Sequence, residues 1–218
     1  MNTLKENYQK IKQALPEKVT LVAVSKTKPI PLLQELYDLG ERVFGENRVE
    51  ELIVKNETLP KDIQWHMIGH LQSKKVKKIA PFISLIHSVD SFKLLKEINK
   101  EAQKNNRIID CLFQFHIAKE ETKYGFSLTK VKIIINSNEF KGLKNIQIKG
   151  VMGMATFTNN QEIVRQEFQT LHEISTEIKI VLPFATIISM GMSGDYKLAI
   201  QEGSNMVRVG SSIFGSRN

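Results

Sequence analysis

The sequence predicts a single (β/α)8 barrel, an α/β fold, that spans residues 1–218 and carries one extra helix at its N-terminus. Eight short apolar segments alternate with helical segments, which is the pattern of parallel βαβ units. The first strand runs into SKTKP, residues 25–29, without the glycine-rich turn of a dinucleotide-binding fold. Polar side chains of types that are common in active sites follow several strands, and barrel enzymes have their active sites at this end of the strands. A chain of 218 residues is commonly one domain of this kind.

The chain opens with an amphipathic helix, predicted at about residues 3–15. Leu4, Tyr8, Ile11 and Leu15 recur at helical spacing among charged residues. The segment lacks the continuous apolar core of a signal peptide, and no apolar run approaches the roughly 20 residues that span a bilayer. We therefore expect neither secretion nor membrane insertion.

The strands and helices follow from the alternation of apolar and polar segments. Strands are predicted at residues 19–24, 42–45, 63–68, 82–88, 108–116, 146–152, 185–189 and 206–209. Helices are predicted at residues 31–39, 46–55, 128–136, 160–178 and 194–201. Two more are predicted, one that begins at about residue 72 and a separate one that ends at about residue 104. Gly40 is expected to cap the end of its helix, and Asp90 or Ser91 the start of the helix that ends near 104, with Asp90 favoured as a cap.

The composition bounds the class of protein. Hydrophobic residues make up 41% of the chain, enough for a full core. The single cysteine, Cys111, cannot form an internal disulfide, which suits a reducing cytosol and predicts a cytoplasmic protein. The net charge of +8 would suit nucleic acid. However, the lysines are spread along the chain without the interleaved aromatic residues of a stacking surface, and the densest run, at residues 74–78, is typical of a solvated helix face. Nucleic-acid binding is therefore not expected.

Lys26 is the first candidate functional residue. Residues 19–24 are apolar or β-branched and predict a buried strand, in which alternation points Lys26 the same way as Val22 and Val24. A lysine aimed at a core is either used chemically or reaches solvent along a packed stem. This stretch alone leaves both interpretations open.

The loops after the seventh and eighth strands carry an anion-binding signal. One reads SMGMSG, residues 189–194, and the other reads GSS, residues 210–212. In barrels these two loops and a helix N-terminus form a phosphate site, where glycines let backbone N–H groups approach the anion and serines add donors. Either loop alone would also suit an ordinary tight turn, but the two together in these positions favour a phosphate.

Arg208 lies within the apolar eighth strand, two residues before Gly210. A buried guanidinium needs an acceptor, which would be a carboxylate, a backbone carbonyl or a ligand. A strand-end lysine, a phosphate site and this arginine together suit one ligand, pyridoxal 5′-phosphate. Its aldehyde would form a Schiff base with Lys26. Arg208 would face the ring nitrogen and keep it unprotonated, because two positive charges in contact are disfavoured, and this weakens the ring as an electron sink.

Three further polar residues follow strands. Asn47 could contact the ligand or cap the helix that comes after it. His66 and His70 are four residues apart, but their segment begins as a strand and lacks the glutamate of a zinc-protease motif, so no metal is predicted. His66 is expected to orient a neighbour near the mouth of the barrel.

Motifs along nearly the whole chain resemble the pyridoxal phosphate homeostasis protein family. They are VSKTKP (24–29), FGENR (44–48), WHMIGHLQSKK (65–75), HSVDS (87–91), KYG (123–125), GVMGM (150–154), SMGMS (189–193) and VRVGSSIFG (207–215). The resemblance implies a barrel of the alanine racemase N-terminal domain type, with the cofactor lysine at Lys26. It also implies phosphate contacts at Ser189, Gly210 and Ser211, and a ring-nitrogen contact at Arg208. The expected cofactor-binding residues are Lys26, Asn47, His66, Ser189, Met190, Gly191, Arg208, Gly210 and Ser211.

The sequence departs from the family pattern at a few positions. Ser211 stands where many members have threonine, which keeps a hydroxyl, and Gly194 stands where an acidic residue is usual, with Asp195 next. The chain ends at Asn218, where some members continue into a basic tail implicated in handling the cofactor. Lys123 matches a lysine that the family implicates in a second cofactor site, which the short C-terminus puts in doubt.

These observations favour a protein that buffers or delivers pyridoxal phosphate without robust catalysis. Racemases of this fold bring a tyrosine base from a second domain and a dimer partner. Here only residues 210–218 follow the last strand, and none of the four tyrosines lies at an obvious base position. The alternatives are a weak amino-acid racemase and a sugar-phosphate barrel enzyme that uses Lys26 without pyridoxal. We expect a monomer, with the apo forms of pyridoxal enzymes as recipients.

Overall fold

Eight parallel strands close into a barrel in the order in which they occur along the chain. The computed structural model describes residues 3–119 and 124–215. The last strand pairs with the first in parallel, with Val22 opposite Arg208, which closes the sheet. The strands are β1 Thr20–Val24, β2 Val43–Glu46, β3 Gln64–Met67, β4 Leu85–Val89, β5 Ile109–Gln114, β6 Ile146–Met152, β7 Ile187–Ser189 and β8 Met206–Val209. The predicted barrel is confirmed.

Helices surround the barrel and follow each strand. They are α1 Leu4–Ala14, α2 Ile30–Asp38, α3 Val49–Thr58, α4 Val76–Ile79, α5 Phe92–Lys104, α6 Leu128–Asn136, α7 Asn138–Lys141, α8 Gln161–Val181, α9 Tyr196–Gln201 and α10 Ser211–Phe214. A 3-10 turn, Ser73–Lys75, precedes α4. Of the helices in the described ranges, none combines the length and the apolar character that crossing a bilayer requires.

Several helix ends follow the expected capping chemistry. The extra N-terminal helix begins with a capping box, in which Thr3 and Glu6 exchange hydrogen bonds. Gly40 follows α2 with a φ of 99°, the left-handed conformation predicted for its cap. The cap of α5 is Ser91, whose hydroxyl accepts from the backbone N–H of Leu94. Asp90 was the favoured cap, and that prediction is wrong because its carboxylate instead pairs with a histidine.

Two helices near the site begin later than predicted. The helix predicted at 46–55 begins only at Val49, and Glu46 is instead the last residue of β2. Its carboxylate is completely buried and is held by partners from other elements, which a helix N-terminus would not provide. The lysine-rich helix predicted from about residue 72 begins only at Val76, because a 3-10 turn, Ser73–Lys75, precedes it.

The alternation of side chains along the strands divides the core into two parts. Outward-facing residues such as Phe44 and Trp65 pack against the helices, with ring centroids 5.8 Å apart. Inward-facing residues fill the barrel, and each fully buried side chain contributes about 1.5–3 kcal/mol to the free energy of unfolding. The apolar cluster inside the barrel consists of Val22, Leu85, Leu112, Met152 and Met206. Polar residues lie further along the strands, and these support the cavity.

Candidate functional site

A cavity of about 450 Å³ opens at the carboxyl ends of the strands, the end at which barrels of this type carry their chemistry. Its walls come from the strand ends and the loops that follow them. The lining residues are Val24, Lys26, Thr27, Lys28, Asn47, Ile68, Met154, Phe157, Met192, Ser193, Gly194, Arg208, Gly210, Ser211 and Gly215. Five of the nine residues expected from the sequence are therefore brought together here. They are Lys26, Asn47, Arg208, Gly210 and Ser211.

Lys26 lies on a tight turn directly after β1 and is half-buried. The backbone N–H of Ser25 still bonds to the strand neighbour, donating to Gly45 O at 3.1 Å, and Lys28 N closes the turn on Ser25 O at 3.0 Å. Thr27 has a φ of 65°, a left-handed conformation that costs a non-glycine residue about 1–2 kcal/mol. Contacts from elsewhere must therefore hold this turn in place.

Those contacts come from a buried charged group, which we call the Lys55 cluster: Ser25, Glu46, Glu51 and Lys55. The Lys55 ammonium, only 3% exposed, donates to Ser25 O at 2.7 Å, to Glu46 Oε1 at 2.7 Å and to Glu51 Oε1 at 2.6 Å. The Ser25 hydroxyl donates to Glu46 Oε1, and the backbone N–H of Thr27 donates to Glu51 Oε1, each at 2.6 Å. The cluster therefore forms hydrogen bonds with the backbone on both sides of Lys26, at Ser25 O and at Thr27 N–H.

The Lys55 cluster contains charges that burial alone would disfavour. Burial raises the pKa of the Glu46 carboxyl, while the charge and the hydrogen bond of Lys55 oppose that rise. Glu46 Oε2 is buried without a hydrogen-bond partner among the described residues. Sequence reasoning missed this cluster, because Glu51 and Lys55, at i and i+4 on a helix, are the pattern of an exposed surface pair.

Arg208 projects from β8 and is 4% exposed. Its Nη1 donates to Ser189 O at 2.8 Å and to Ser189 Oγ at 2.7 Å, and its Nη2 donates to Gly153 O at 3.0 Å. The sequence left a carboxylate, a backbone carbonyl and a ligand open as acceptors for Arg208. The structure shows two backbone carbonyls and, in addition, a serine hydroxyl. Burial lowers the pKa of Arg208 to about 10, so the guanidinium stays charged at neutral pH.

Behind Arg208 a row of buried polar groups crosses the barrel, and we call it the histidine chain: His66, His87, Ser189 and Arg208. Ser189 Oγ lies 3.0 Å from His87 Nδ1, and His87 Nε2 lies 3.0 Å from His66 Nδ1. Strands β4 and β7 are not neighbours in the barrel, so the bond between His87 and Ser189 passes through its interior.

Burial keeps both imidazoles of the histidine chain neutral. It lowers the pKa of His66 to about 3. It also lowers the pKa of His87 well below its ordinary value, with the charges of His66 and Arg208 acting in the same direction. His66 and Ser189 were expected to contact a ligand, but the structure places them in the barrel interior, outside the cavity lining. His87 was missed, although HSVDS was recognised as a motif.

The two serine- and glycine-containing loops meet at Ser193. Its hydroxyl accepts from the backbone N–H groups of Gly210 at 3.1 Å and Ser212 at 3.4 Å. A Cβ added to Gly194 would meet no atom within 4 Å, so this part of the wall is open. Backbone amides and hydroxyls therefore converge at this end of the cavity, as an anion requires. Ser193 lay within the predicted loop but was not singled out.

Met190 and Gly191 shape the same loop from within the core. Met190 is completely buried. Gly191 has a φ of 92°, and a Cβ there would lie 2.6 Å from the Ala199 Cβ, so only glycine fits. Neither residue belongs to the cavity lining.

Asn47 lines the cavity directly after β2. Its Oδ1 is buried and has no hydrogen-bond partner among the described residues. Its backbone is pressed against Gly69, where a Cβ would lie 2.5 Å from Asn47 O. The alternative that Asn47 caps the next helix is wrong, because α3 begins after Arg48 without a side-chain cap. An unsatisfied buried acceptor instead points to a ligand donor.

His70 and Lys123 were also considered from the sequence. His70 Nδ1 lies 3.0 Å from Asp90 Oδ2, and the ring stacks on Tyr124, so it does not share a metal site with His66. In the described part of the chain, no group of three or more metal-ligating side chains comes together. Lys123 lies outside the described residues.

The sequence has clear relatives. A family model described as "Alanine racemase, N-terminal domain" matches residues 1–218. A curated relative from Aquifex aeolicus is 39% identical over 202 residues, covering 90% of this chain and 86% of its own. A relative from Schizosaccharomyces pombe is 40% identical over 202 residues, covering 91% and 84%. Both carry the name pyridoxal phosphate homeostasis protein.

Solved structures agree with this assignment. PipY of Synechococcus elongatus PCC7942, a structure with PLP bound, superimposes with a TM-score of 0.89 at 32% identity, covering 98% of this chain and 100% of that one. Alanine racemase of Clostridium difficile 630 superimposes with a TM-score of 0.79 at 18% identity, covering 98% of this chain and 56% of that one. The racemase is thus similar in fold alone.

Proposed function

Because this chain belongs to the pyridoxal phosphate homeostasis protein family, on a barrel of the alanine racemase N-terminal domain type, we propose that it binds pyridoxal 5′-phosphate covalently at Lys26. Its role is to buffer and deliver that cofactor without robust catalysis. The observation that carries the proposal is one shared cavity, which holds a lysine on a braced turn, a charged arginine and two serine hydroxyls.

The residues present fit this cofactor. The hydroxyls of Ser193 and Ser211 line the cavity and provide donors for a phosphate. The Ser193 oxygen accepts from the backbone N–H groups of Gly210 and Ser212, which leaves its own hydrogen for the ligand. Asn47 Oδ1 is a buried acceptor in need of a donor, and a hydroxyl on a ligand supplies one. Lys26 supplies the amine to which an aldehyde attaches.

The cofactor, when bound, supplies an aldehyde for linkage to an amine and an aromatic ring that accepts electrons. Arg208 decides how strongly that ring withdraws electrons. Its charge is held by neutral carbonyls and a hydroxyl, and its pKa of about 10 keeps it protonated. A cation beside the ring nitrogen disfavours a proton there. This chain's own residue thus favours storage over carbanion chemistry.

The cavity lining supports the same conclusion. Among the described residues that form it, the titratable side chains are Lys26, Lys28 and Arg208. The Lys28 ammonium donates to Phe214 O and Gly215 O, at 3.2 and 3.3 Å, and closes the end of α10. A racemase needs a second acid or base on the reacting carbon, and these three cations do not provide the usual carboxylate, imidazole or phenol.

The first test is the visible absorption of the purified chain with pyridoxal phosphate. A violet-absorbing band is expected in the parent, and borohydride should add the reduced cofactor's mass to the peptide that contains Lys26. Lys26→Ala should lose both signals, while Lys74→Ala, which removes an exposed lysine, should keep them. A Lys26→Ala variant that kept the band would contradict covalent binding at this residue, and absence of any band would contradict the cofactor.

A second test separates storage from catalysis. The loaded protein is expected to restore activity to an apo pyridoxal enzyme while showing no sustained racemisation of a panel of L-amino acids. Sustained turnover would overturn the storage role and favour a weak racemase. A parent protein that bound sugar phosphates and stayed colourless with pyridoxal phosphate would favour the sugar-phosphate alternative.

A further inference from the structure

Three members of the histidine chain, His66, His87 and Ser189, lie outside the cavity lining, so the cofactor site itself does not explain why they are hydrogen-bonded to one another. The histidine chain links the buried interior of β3 and β4 to Arg208 on β8 through the Ser189 hydroxyl, over three successive contacts of 3.0, 3.0 and 2.7 Å. All four residues are buried: His66 and Arg208 are 4% exposed, and His87 and Ser189 are completely buried. Buried polar groups joined in this way either form a satisfied network or destabilise the fold.

The direction of the hydrogen bonds follows from Arg208. A guanidinium can only donate, so Ser189 Oγ accepts from Nη1. The serine hydrogen then has His87 Nδ1 as its acceptor. His87 must in turn carry its own hydrogen on Nε2 and donate it to His66 Nδ1. His66 is left with its hydrogen on Nε2, so each imidazole occupies one defined tautomer.

The hydroxyl needs this direction in order to serve Arg208. A serine O–H rotates freely, and if its hydrogen turned toward the guanidinium, the two positive ends would repel each other. His87 lies across the barrel and gives the hydrogen an acceptor on the far side, so the oxygen lone pair faces Nη1. The two carbonyl bonds, to Ser189 O and Gly153 O, then set the plane of the guanidinium.

We infer that His66, His87 and Ser189 are positioning residues, which hold the Arg208 guanidinium in one orientation through a one-directional chain of neutral hydrogen bonds. The purpose of that orientation, which is to present a cation to the ring of pyridoxal phosphate, rests on the proposed function. The orientation itself belongs to this chain and exists without a ligand. The low pKa values of both histidines agree with a neutral chain.

The test uses the cofactor-free full chain labelled with ¹⁵N at histidine and arginine. The sequence has five histidines, so their side-chain signals are few and single His→Gln variants assign them. At neutral pH we expect His66 and His87 each to show the Nε2–H tautomer alone, and the two Arg208 Nη nitrogens to give separate signals because rotation of the guanidinium is restricted.

Ser189→Ala removes the link and is the decisive variant. We expect His87 to populate both tautomers and the Arg208 Nη signals to merge, with about tenfold weaker pyridoxal phosphate binding. Ser88→Ala is the matched control, because Ser88 is a neighbouring serine that is equally buried and whose hydroxyl has no partner among the described residues. It should leave every signal of the histidine chain unchanged.

Two results would overturn the inference. One is an Nδ1–H tautomer at His87 in the parent chain, which decides the question even if Ser189→Ala does not fold. The other is a folded Ser189→Ala chain with unchanged His87 and Arg208 signals. Failure of pyridoxal phosphate to bind the parent would overturn the proposed function but would leave these ligand-free spectra as they are, so the two failures are distinguishable.

Discussion

The Lys55 cluster and the histidine chain support the same cavity but bury different kinds of polar group. The Lys55 cluster joins a cation to two carboxylates and lies between the turn after β1, the end of β2 and α3. The histidine chain lies inside the barrel, and its two imidazoles are neutral between an apolar layer and one cation. The first braces the turn that carries Lys26, and the second braces Arg208.

The two arrangements differ in what the removal of one member leaves behind. In the Lys55 cluster the loss of the lysine leaves two carboxylates, one of them completely buried, without a countercharge. In the histidine chain the loss of a member leaves a neutral donor or acceptor unsatisfied. Uncompensated charge is more costly than an unsatisfied dipole, so the turn at Lys26 should be the more fragile of the two supports.

The largest effect is therefore expected for Lys55→Met. It should lower the free energy of unfolding by about 3–5 kcal/mol, because Glu46 stays buried without its partner. Urea unfolding measures the change. The control is Lys132→Met, which breaks an exposed pair with Glu177 and should cost about 0–1 kcal/mol.

The charge on Glu46 gives this prediction a pH dependence. Burial places the pKa of folded Glu46 above its ordinary value of 4.5, and loss of Lys55 raises it further. At this site the folded state then binds more protons than the unfolded state, so the stability of Lys55→Met relative to that of the parent chain should fall as pH rises above about 4.5. Adding Glu46→Gln should remove that slope. If Lys55→Met lost the same amount of stability at all pH values, the charge of Glu46 would not be the cause of the loss.

The second effect concerns the pH dependence of the parent chain. Unfolded histidine takes up a proton below its ordinary pKa of 6.5, while folded His66 does so only near 3, and folded His87 also resists protonation. The unfolded state therefore binds more protons, and stability should fall as pH drops below 6.5. Two such histidines remove about 2–3 kcal/mol between pH 8 and pH 5.5. Chemical denaturation at several pH values measures this, and a flat profile would mean that the histidines are not buried neutral.

The third effect is that of His87→Leu. It removes the central link of the histidine chain and leaves the Ser189 hydroxyl and His66 Nδ1 without their partner, which should cost about 1–3 kcal/mol at pH 8. Because one titrating histidine is gone, the variant should also show a shallower loss of stability in acid. A cost as large as that of Lys55→Met would contradict the distinction between charged and neutral supports.

The smallest effect is expected for Ser88→Ala. The Ser88 hydroxyl is completely buried and has no hydrogen-bond partner in the described chain. The hydroxyl has lost its hydrogen bonds to water without forming one in the folded protein, so its removal costs little. The free energy of unfolding should change by no more than about 0.5 kcal/mol or should rise. A thermal unfolding scan is sufficient, and a loss above about 1 kcal/mol would indicate a partner such as ordered water.

Much of the fold could be predicted from the sequence, because strand and helix periodicity are local. Both α6 and β6 have the predicted bounds, and Lys26 and Arg208 meet at one cavity because parallel strands place their carboxyl ends together. The cap at Asp90 was wrong because its carboxylate pairs with His70, twenty residues away. The predicted start of α3 at Glu46 was wrong, because that residue ends β2 and its carboxylate forms a buried ion pair with Lys55.

By itself, the sequence determined the barrel and which strand ends carry the lysine, the arginine and the serine-glycine loops. Only the tertiary structure decided what holds those groups in place. Lys55 lies 30 residues from the Ser25 carbonyl that it braces, and His87 lies 102 residues from Ser189. The physical reason is that a hydrophobic pattern records which face of an element is buried, whereas the partner of a buried polar group depends on which elements the closed barrel brings within about 3 Å.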